Sequence, residues 1–207
     1  MDPKKLRYVE LVNMDDDLLL PWLDLYETVF PPSERLLVSN QLQFLKRRAA
    51  GDGKDNHLVA ALDAQGCLTG LLQYSIGPEA SVAFLWYFAV QPTERGKGLG
   101  AEMYGELWNR LDAAACRALV FEVEIPEETE SDEQRRLAER RITFYRRLGA
   151  RLLRGVSHMQ YVGWHQAPIP MHVMVHSREP LVAQVAYDIA KAVLEDSISQ
   201  VAHLSLE

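Results

Sequence analysis

A glycine-punctuated junction constrains this chain more than any other segment. It reads Arg95-Gly-Lys-Gly-Leu-Gly100. Before it runs Phe84-Leu-Trp-Tyr-Phe-Ala-Val90, with the branched and aromatic content of a strand. After it, Met103, Leu107 and Leu111 recur every four residues, as on one face of a helix over 99–114. The local order is strand, glycine loop, helix. Glycine lets the backbone approach an anion closely, and the first N–H groups of a helix have no partner inside it. The helix dipole favours negative charge at that end. The segment therefore predicts a phosphate-bearing ligand, with Arg95 and Lys97 as countercharges.

Three glycine-loop chemistries compete for this pattern. A nucleotide P-loop is excluded, because no Gly-Lys-Ser/Thr follows at the required spacing. A dinucleotide fingerprint is a rival: Gly96, Gly98 and Ala101 fit G-x-G-x-x-G/A, and Glu122 lies roughly 20 residues on. Its first glycine should follow the strand directly, but residues 91–95 intervene. Residues 57–90 also read as consecutive strands rather than alternating strands and helices. This reading would make the chain an NAD(P)-binding oxidoreductase.

The third chemistry is acyl-coenzyme A. The loop 95–100 resembles the Q/R-x-x-G-x-G/A motif of the GNAT superfamily of N-acetyltransferases, with Val90 and Pro92 at their usual places. Arg141-Ile-Thr-Phe-Tyr-Arg-Arg-Leu-Gly149 resembles a later helix of that superfamily, and Leu119-Val-Phe-Glu-Val123 its fifth strand. The likeness covers roughly residues 57–162. The segment Tyr26-Glu-Thr-Val-Phe-Pro-Pro-Ser-Glu-Arg35 is similar to the substrate-side helices of some bacterial members. The resemblance implies an α/β (α+β) fold with a mixed, mostly antiparallel central sheet flanked by helices. It implies acetyl-CoA as co-substrate and a small amine or peptide as acceptor.

Composition bounds the rest. A chain of 207 residues can bury one substantial core, and 48% apolar with 25% charged residues is ordinary for a globular protein. The predicted organisation is one domain over 1–207. It has a CoA-binding core at about 57–162, acceptor-side helices at about 18–48, and a C-terminal strand and helix at about 170–195. No apolar stretch is long enough for a membrane span, and Met-Asp-Pro-Lys-Lys lacks the apolar core of a signal peptide. Cytoplasmic residence is the expectation. A net charge of −7 and no basic cluster interleaved with aromatics argue against nucleic acid as partner. Cys67 and Cys116 both read as buried thiols, too few for a disulfide scaffold or a cysteine metal site.

Further elements follow from periodicity and turn chemistry. Residues 6–12 alternate like a strand, and Asp15-Asp-Asp offers caps for a helix over 18–30. Pro31-Pro32 ends it, and Ser33 is placed to cap a second helix running to about Arg48. A turn at 51–55 leads to strands near 57–64, 67–77 and 82–90, with Gly77-Pro78 separating the last two. A strand at 118–125 and an exposed acidic loop at 126–134 precede a helix at about 135–148, stopped by Gly149. A strand follows near 156–163, and Met171-His-Val-Met-Val175 is the predicted last strand. Leu181, Val185, Ile189 and Val193 mark the apolar face of a final helix, a face that would suit a homodimer contact. The closing Leu206-Glu207 reads as a cloning remnant.

Acetyl transfer to an amine asks for a base, an oxyanion donor and a proton for the departing thiolate. Glu122 and Glu124 alternate with apolar Phe121, Val123 and Ile125, so both carboxylates share one strand face. Glu122 is the candidate base, by like-charge repulsion and by the resemblance, with Glu124 in reserve. An exposed strand face is the alternative. Helix aromatics are mostly core, so Phe144 and Tyr145 read as packing residues from spacing alone. The resemblance instead makes Tyr145 the acid, a phenol able to protonate the thiolate. It also implies a bulged fourth strand whose backbone at Phe88, Ala89 and Val90 pairs with the pantetheine arm and the thioester oxygen. With Arg95, Gly96, Lys97, Gly98, Leu99 and Gly100, these form the expected cofactor-binding set.

Departures from the family pattern are visible. Ala138 stands where many members carry an Asn, the acidic insertion before the tyrosine helix is long, and Ala150 replaces the usual Phe. Trp22, Tyr26 and Phe30 share a helical face that either walls an acceptor pocket or packs inward. His165, His172 and His176 lack a completing ligand, so no metal is expected. A sensor or scaffold that binds acyl-CoA without turnover is the alternative to the enzyme.

Overall fold

The computed structural model describes residues 6–52, 56–77, 81–163 and 166–207. Among the described residues, eight strands form a mixed, mostly antiparallel sheet in the order β1-β2-β3-β4-β5-β7-β6-β8, with five α-helices. This is the α+β architecture expected from the sequence. The chain resolves into two compact units, one of residues 1–78 and 85–114, the other of residues 79–84 and 115–207. Among the described residues no helix is long and apolar enough to cross a membrane.

The first unit holds β1 (Arg7–Leu11), α1 (Leu19–Val29), α2 (Val38–Ala49), β2 (Asn56–Leu62) and β3 (Leu68–Ile76). It also takes most of β4 (Val82–Val90) and α3 (Leu99–Ala113). β1, β2 and β3 pair antiparallel in sequence order. Pro21 sits in the first turn of α1, where its missing N–H would have had no helical acceptor. Leu11, Trp22, Tyr26, Leu45, Leu58, Leu62 and Leu71 are fully buried in one cluster. Burying a side chain of this size stabilises by about 1.5–3 kcal/mol. Met103, Leu107 and Leu111 of α3 are fully buried too, as their spacing predicts.

Elsewhere in this unit Glu10 ties four elements together. Its carboxylate accepts from Arg48 Nη2 and His57 Nδ1, each at 2.6 Å, and from Arg110 Nη1 at 3.3 Å. Burial opposes ionisation of Glu10, but its contact with His57 and the nearby Arg48 and Arg110 guanidiniums outweigh it and hold its carboxyl below the usual range.

The second unit holds β5 (Ala118–Glu124), α4 (Asp132–Arg147), β6 (Arg151–Gln160), β7 (Ile169–Ser177), α5 (Ala183–Leu194) and β8 (Ile198–Leu206). Phe84, Val120, Leu153, Val173, Val175, Ala186, Ala190, Ile198 and Leu204 form its core against α5. α4 begins at Asp132, earlier than the acidic composition predicts. Ser131 is its cap, accepting from Gln134 N at 3.2 Å, and the acidic residues Asp132 and Glu133 favour the positive end of the helix.

Several expectations are corrected. Ser33 lies in a short 3-10 turn (Pro32–Glu34) and caps nothing in α2, which starts five residues later. Two phenols hold the intervening extended segment: Tyr26 Oη donates to Leu36 O, and Leu36 N donates to Tyr87 Oη, each at 2.9 Å. β6 starts at Arg151 rather than 156. β7 is not the last strand, because β8 adds to β6. The buried face of α5 centres on Ala186 and Ala190, whereas Val185 is exposed. Cys116 is buried but Cys67 is exposed. Glu207 pairs with Leu152 through both backbone groups and meets Arg146 and Arg154, so the final residues are part of the sheet edge. The expected turn at 53–55, the Pro78 separator, the Met-Asp-Pro-Lys-Lys terminus and His165 lie outside the described residues.

The β6–β8 register shifts between Arg154 and Val156, and Gly155 occupies the shift with φ +83°. A Cβ there would overlap the His203 carbonyl oxygen. Gly155→Ala is therefore expected to destabilise the protein by about 2–4 kcal/mol in urea unfolding. A loss below about 0.5 kcal/mol would show that the β8 pairing does not depend on this bulge.

Candidate active site

The glycine loop is built by left-handed backbone. A 3-10 turn (Pro92–Glu94) follows β4, and then Gly96 and Gly98 take φ +80° and +87°. Only glycine adopts these angles without strain. Gly98 is the N-cap of α3, and its carbonyl accepts from Ala101 and Glu102. The N–H groups of Leu99 and Gly100 therefore open the helix with no acceptor inside it. Nothing lies within 4 Å of where a Cβ would stand on Gly96 or Gly98. The loop is an exposed, open cradle of backbone donors, which fits a diphosphate. Arg95 is exposed and leans its Nε on Val90 O at 3.3 Å, while Lys97 pairs with Glu94 at 2.9 Å. Arg95 is thus the stronger countercharge, because Lys97 already has a carboxylate.

At the end of β4, Gln91 N donates to Thr69 O at 2.8 Å. The Ala89 carbonyl lies 2.8 Å from the place a Cβ would take on Gly70, so the missing side chain lets the backbones approach. Phe88 meets Tyr104 of α3 edge-on, with ring centroids 6.3 Å apart. Ala89 is buried, and Phe88 and Val90 are half-buried.

In the second unit β5 divides the chemistry between its two faces. Phe121 packs on Tyr145 of α4 with centroids 4.4 Å apart. Glu122 points the other way, on the face of Val120, which belongs to the α5 core. Tyr145 is buried, and burial pushes its phenol up to about 12, against a lowering by Arg141. The phenol keeps its proton at neutral pH.

Glu122 is held at both oxygens. Its Oε2 accepts from Gln160 Nε2 at 2.7 Å, and its Oε1 meets His158 Nε2. His158 Nδ1 lies 3.0 Å from the Ser197 carbonyl. The His158 side chain is 1% exposed and that of Glu122 12%. Glu124 pairs with Arg141 instead. The two carboxylates, read from sequence as a repelling pair, thus each carry a separate cationic or imidazole partner. His158 and Gln160 were missed by sequence reasoning. Their i, i+2 spacing puts them on one strand face, but their partner sits across the intervening β7.

The remaining candidates resolve into packing. Trp22 donates from Nε1 to Val59 O at 3.2 Å and stacks on Tyr26 at 5.5 Å, so this face of α1 is core. Phe30 is half-buried beside Tyr87 at 4.9 Å. Arg35 pairs with Glu27. His176 packs against Gly149, and burial lowers its imidazole to about 4. His172 lies 3.2 Å from Arg154 Nη1, and burial followed by that cation lowers it as well.

Comparisons with known proteins agree with this geometry. Residues 19–150 match the family model of the acetyltransferase (GNAT) family. A protein from Bacteroides thetaiotaomicron assigned to that family is 23% identical, with a TM-score of 0.69 over 91% of this chain and 98% of its own. The structure of yncA from Salmonella typhimurium with its cofactor acetyl-CoA is 15% identical, with a TM-score of 0.56 over 87% and 98%. A Bacillus subtilis acetyltransferase in complex with CoA is 14% identical, with a TM-score of 0.54 over 84% and 100%. No curated protein matches the sequence significantly. With the family model spanning well over half of its residues, the chain belongs to the GNAT acetyltransferase family.

Proposed function

We propose that this protein is an acetyl-CoA-dependent N-acetyltransferase, acting as one functional domain in the cytoplasm on the primary amine of a small molecule or peptide. One observation carries the reading: the Gly96 and Gly98 turn delivers an open helix N-terminus, with Arg95 beside it, to a diphosphate. The backbone of residues 96–100 binds the pyrophosphate, and Arg95 adds countercharge. Backbone groups of residues 88–90 hold the pantetheine arm and the thioester oxygen. Glu122 takes the proton that the amine loses as its nitrogen bonds to the acetyl carbon. Tyr145 gives a proton to the sulfur as the C–S bond breaks.

Acetyl-CoA at a hundredfold excess over its Kd is expected to stabilise the fold by about 2.7 kcal/mol, a rise of roughly 5–10 °C in Tm, while NAD leaves Tm unchanged. Gly98→Val places a branched side chain at φ +87° and is expected to abolish that rise with the circular-dichroism spectrum retained. Stabilisation by NAD alone would overturn the reading.

Tyr145→Phe keeps the ring that packs on Phe121 and removes only the hydroxyl. It is expected to lower kcat about 100-fold in an amine panel, with acetyl-CoA affinity retained. An unchanged kcat removes Tyr145 from the reaction.

A further inference from the structure

The GNAT family model ends at residue 150, yet the groups that hold Glu122 come after it: His158 and Gln160 from β6, and the Ser197 carbonyl from the turn before β8. Their hydrogen bonding can be counted atom by atom. The Ser197 carbonyl only accepts, so His158 Nδ1 carries a hydrogen. A bare nitrogen lone pair facing a bare carboxylate oxygen would repel, so a proton also lies on the line from His158 Nε2 to Glu122 Oε1. Both outer contacts favour the ionised form. The carbonyl stabilises the imidazolium, and the Gln160 N–H stabilises the carboxylate.

We propose that His158 is a positioning residue for Glu122, and that the two share one proton and act as a single proton-accepting unit. The inference rests on the N-acetyltransferase reading above and deepens it. His158 fixes the plane of the carboxylate, and Gln160 fixes its second oxygen. The amine proton arrives on a pair that already holds one proton, so the pair goes from neutral to singly positive and returns that proton to solvent after each turnover.

Charged groups on the neighbouring elements have partners of their own. On β5, Glu124 is matched by Arg141 of α4. On the turn before β8, Asp196 lies 3.8 Å from Lys191 of α5, and Glu195 is exposed with its carbonyl accepting from Lys191. On β7, apolar Val173 stands opposite Glu122 in the ladder.

His158→Gln tests this, because glutamine keeps a donor toward Glu122 but cannot carry a charge. In acetyl transfer across an amine panel, kcat is expected to fall at least tenfold, with KM for acetyl-CoA unchanged. If the two residues handle the proton as one unit, the acid limb of the kcat profile is expected to differ between His158→Gln and the wild-type protein. If the wild-type protein turns over an amine and His158→Gln shows the same acid limb, the inference is overturned while the enzyme reading stands. A second arm needs no turnover. In 15N spectra of the histidine rings of the full chain at pH 7.5, His158 is expected to be protonated on both nitrogens, and Glu122→Gln is expected to remove the Nε2 proton. A neutral His158 ring in the wild-type protein would overturn the shared proton, whatever the enzyme does.

Discussion

A strand offers only two faces, and the second unit is organised by how β5 spends them. Phe121 goes to the α4 side, where it receives Tyr145. Val120 goes to the α5 side and joins a core of small and branched residues. Glu122 sits on that same side at a half-buried position, where its carboxylate oxygens call for hydrogen-bond partners. The structure provides them from β6. A one-residue slip of β5 would exchange these roles, placing a carboxylate on the aromatic face and Phe121 against α5. Packing register and candidate chemistry are thus one constraint.

The first unit obeys a different rule, that of backbone angle. Two left-handed glycines reverse the chain after β4 and start α3 with its donors facing outward. The helix can do this because its own stability comes from elsewhere. Met103, Leu107 and Leu111 bury its opposite face, and Glu102 accepts from Leu6 N at 2.8 Å. The unpaired donors are a local cost that this packing offsets.

What the amino-acid sequence revealed was whatever is encoded locally. The loop at 95–100, the strands β2 to β5 and the stripe of α3 rest on glycine chemistry and short-range periodicity, and all appear near their predicted positions. Ser131 was overlooked as a cap because the acidic residues around it read as loop, although acid in a first turn is what a helix dipole favours. β8 was invisible for another reason. Its burial pattern has a long exposed middle, so alternation alone does not mark Ile198–Leu206 as a strand, and only pairing with β6 makes it one. His158 followed from the same gap, since its carbonyl partner belongs to the turn that leads into β8. The apolar stripe of α5 was legible in part: Leu181, Ile189 and Val193 pack against the core and Val185 does not, because large residues were weighted over alanines. Ala186 and Ala190 allow the closest approach and so sit innermost.

The peptide of Leu36 is gripped on both sides by phenols, one from α1 and one from β4. That grip separates two jobs in the stretch between α1 and α2. Its path over the first unit is set by Tyr26 and Tyr87, while Ser33 and Leu37 are exposed. A library that randomises those two positions and spares both tyrosines would alter surface character without re-routing the main chain. A library that touches either phenol would sample different backbones, and its variants could not be compared residue by residue.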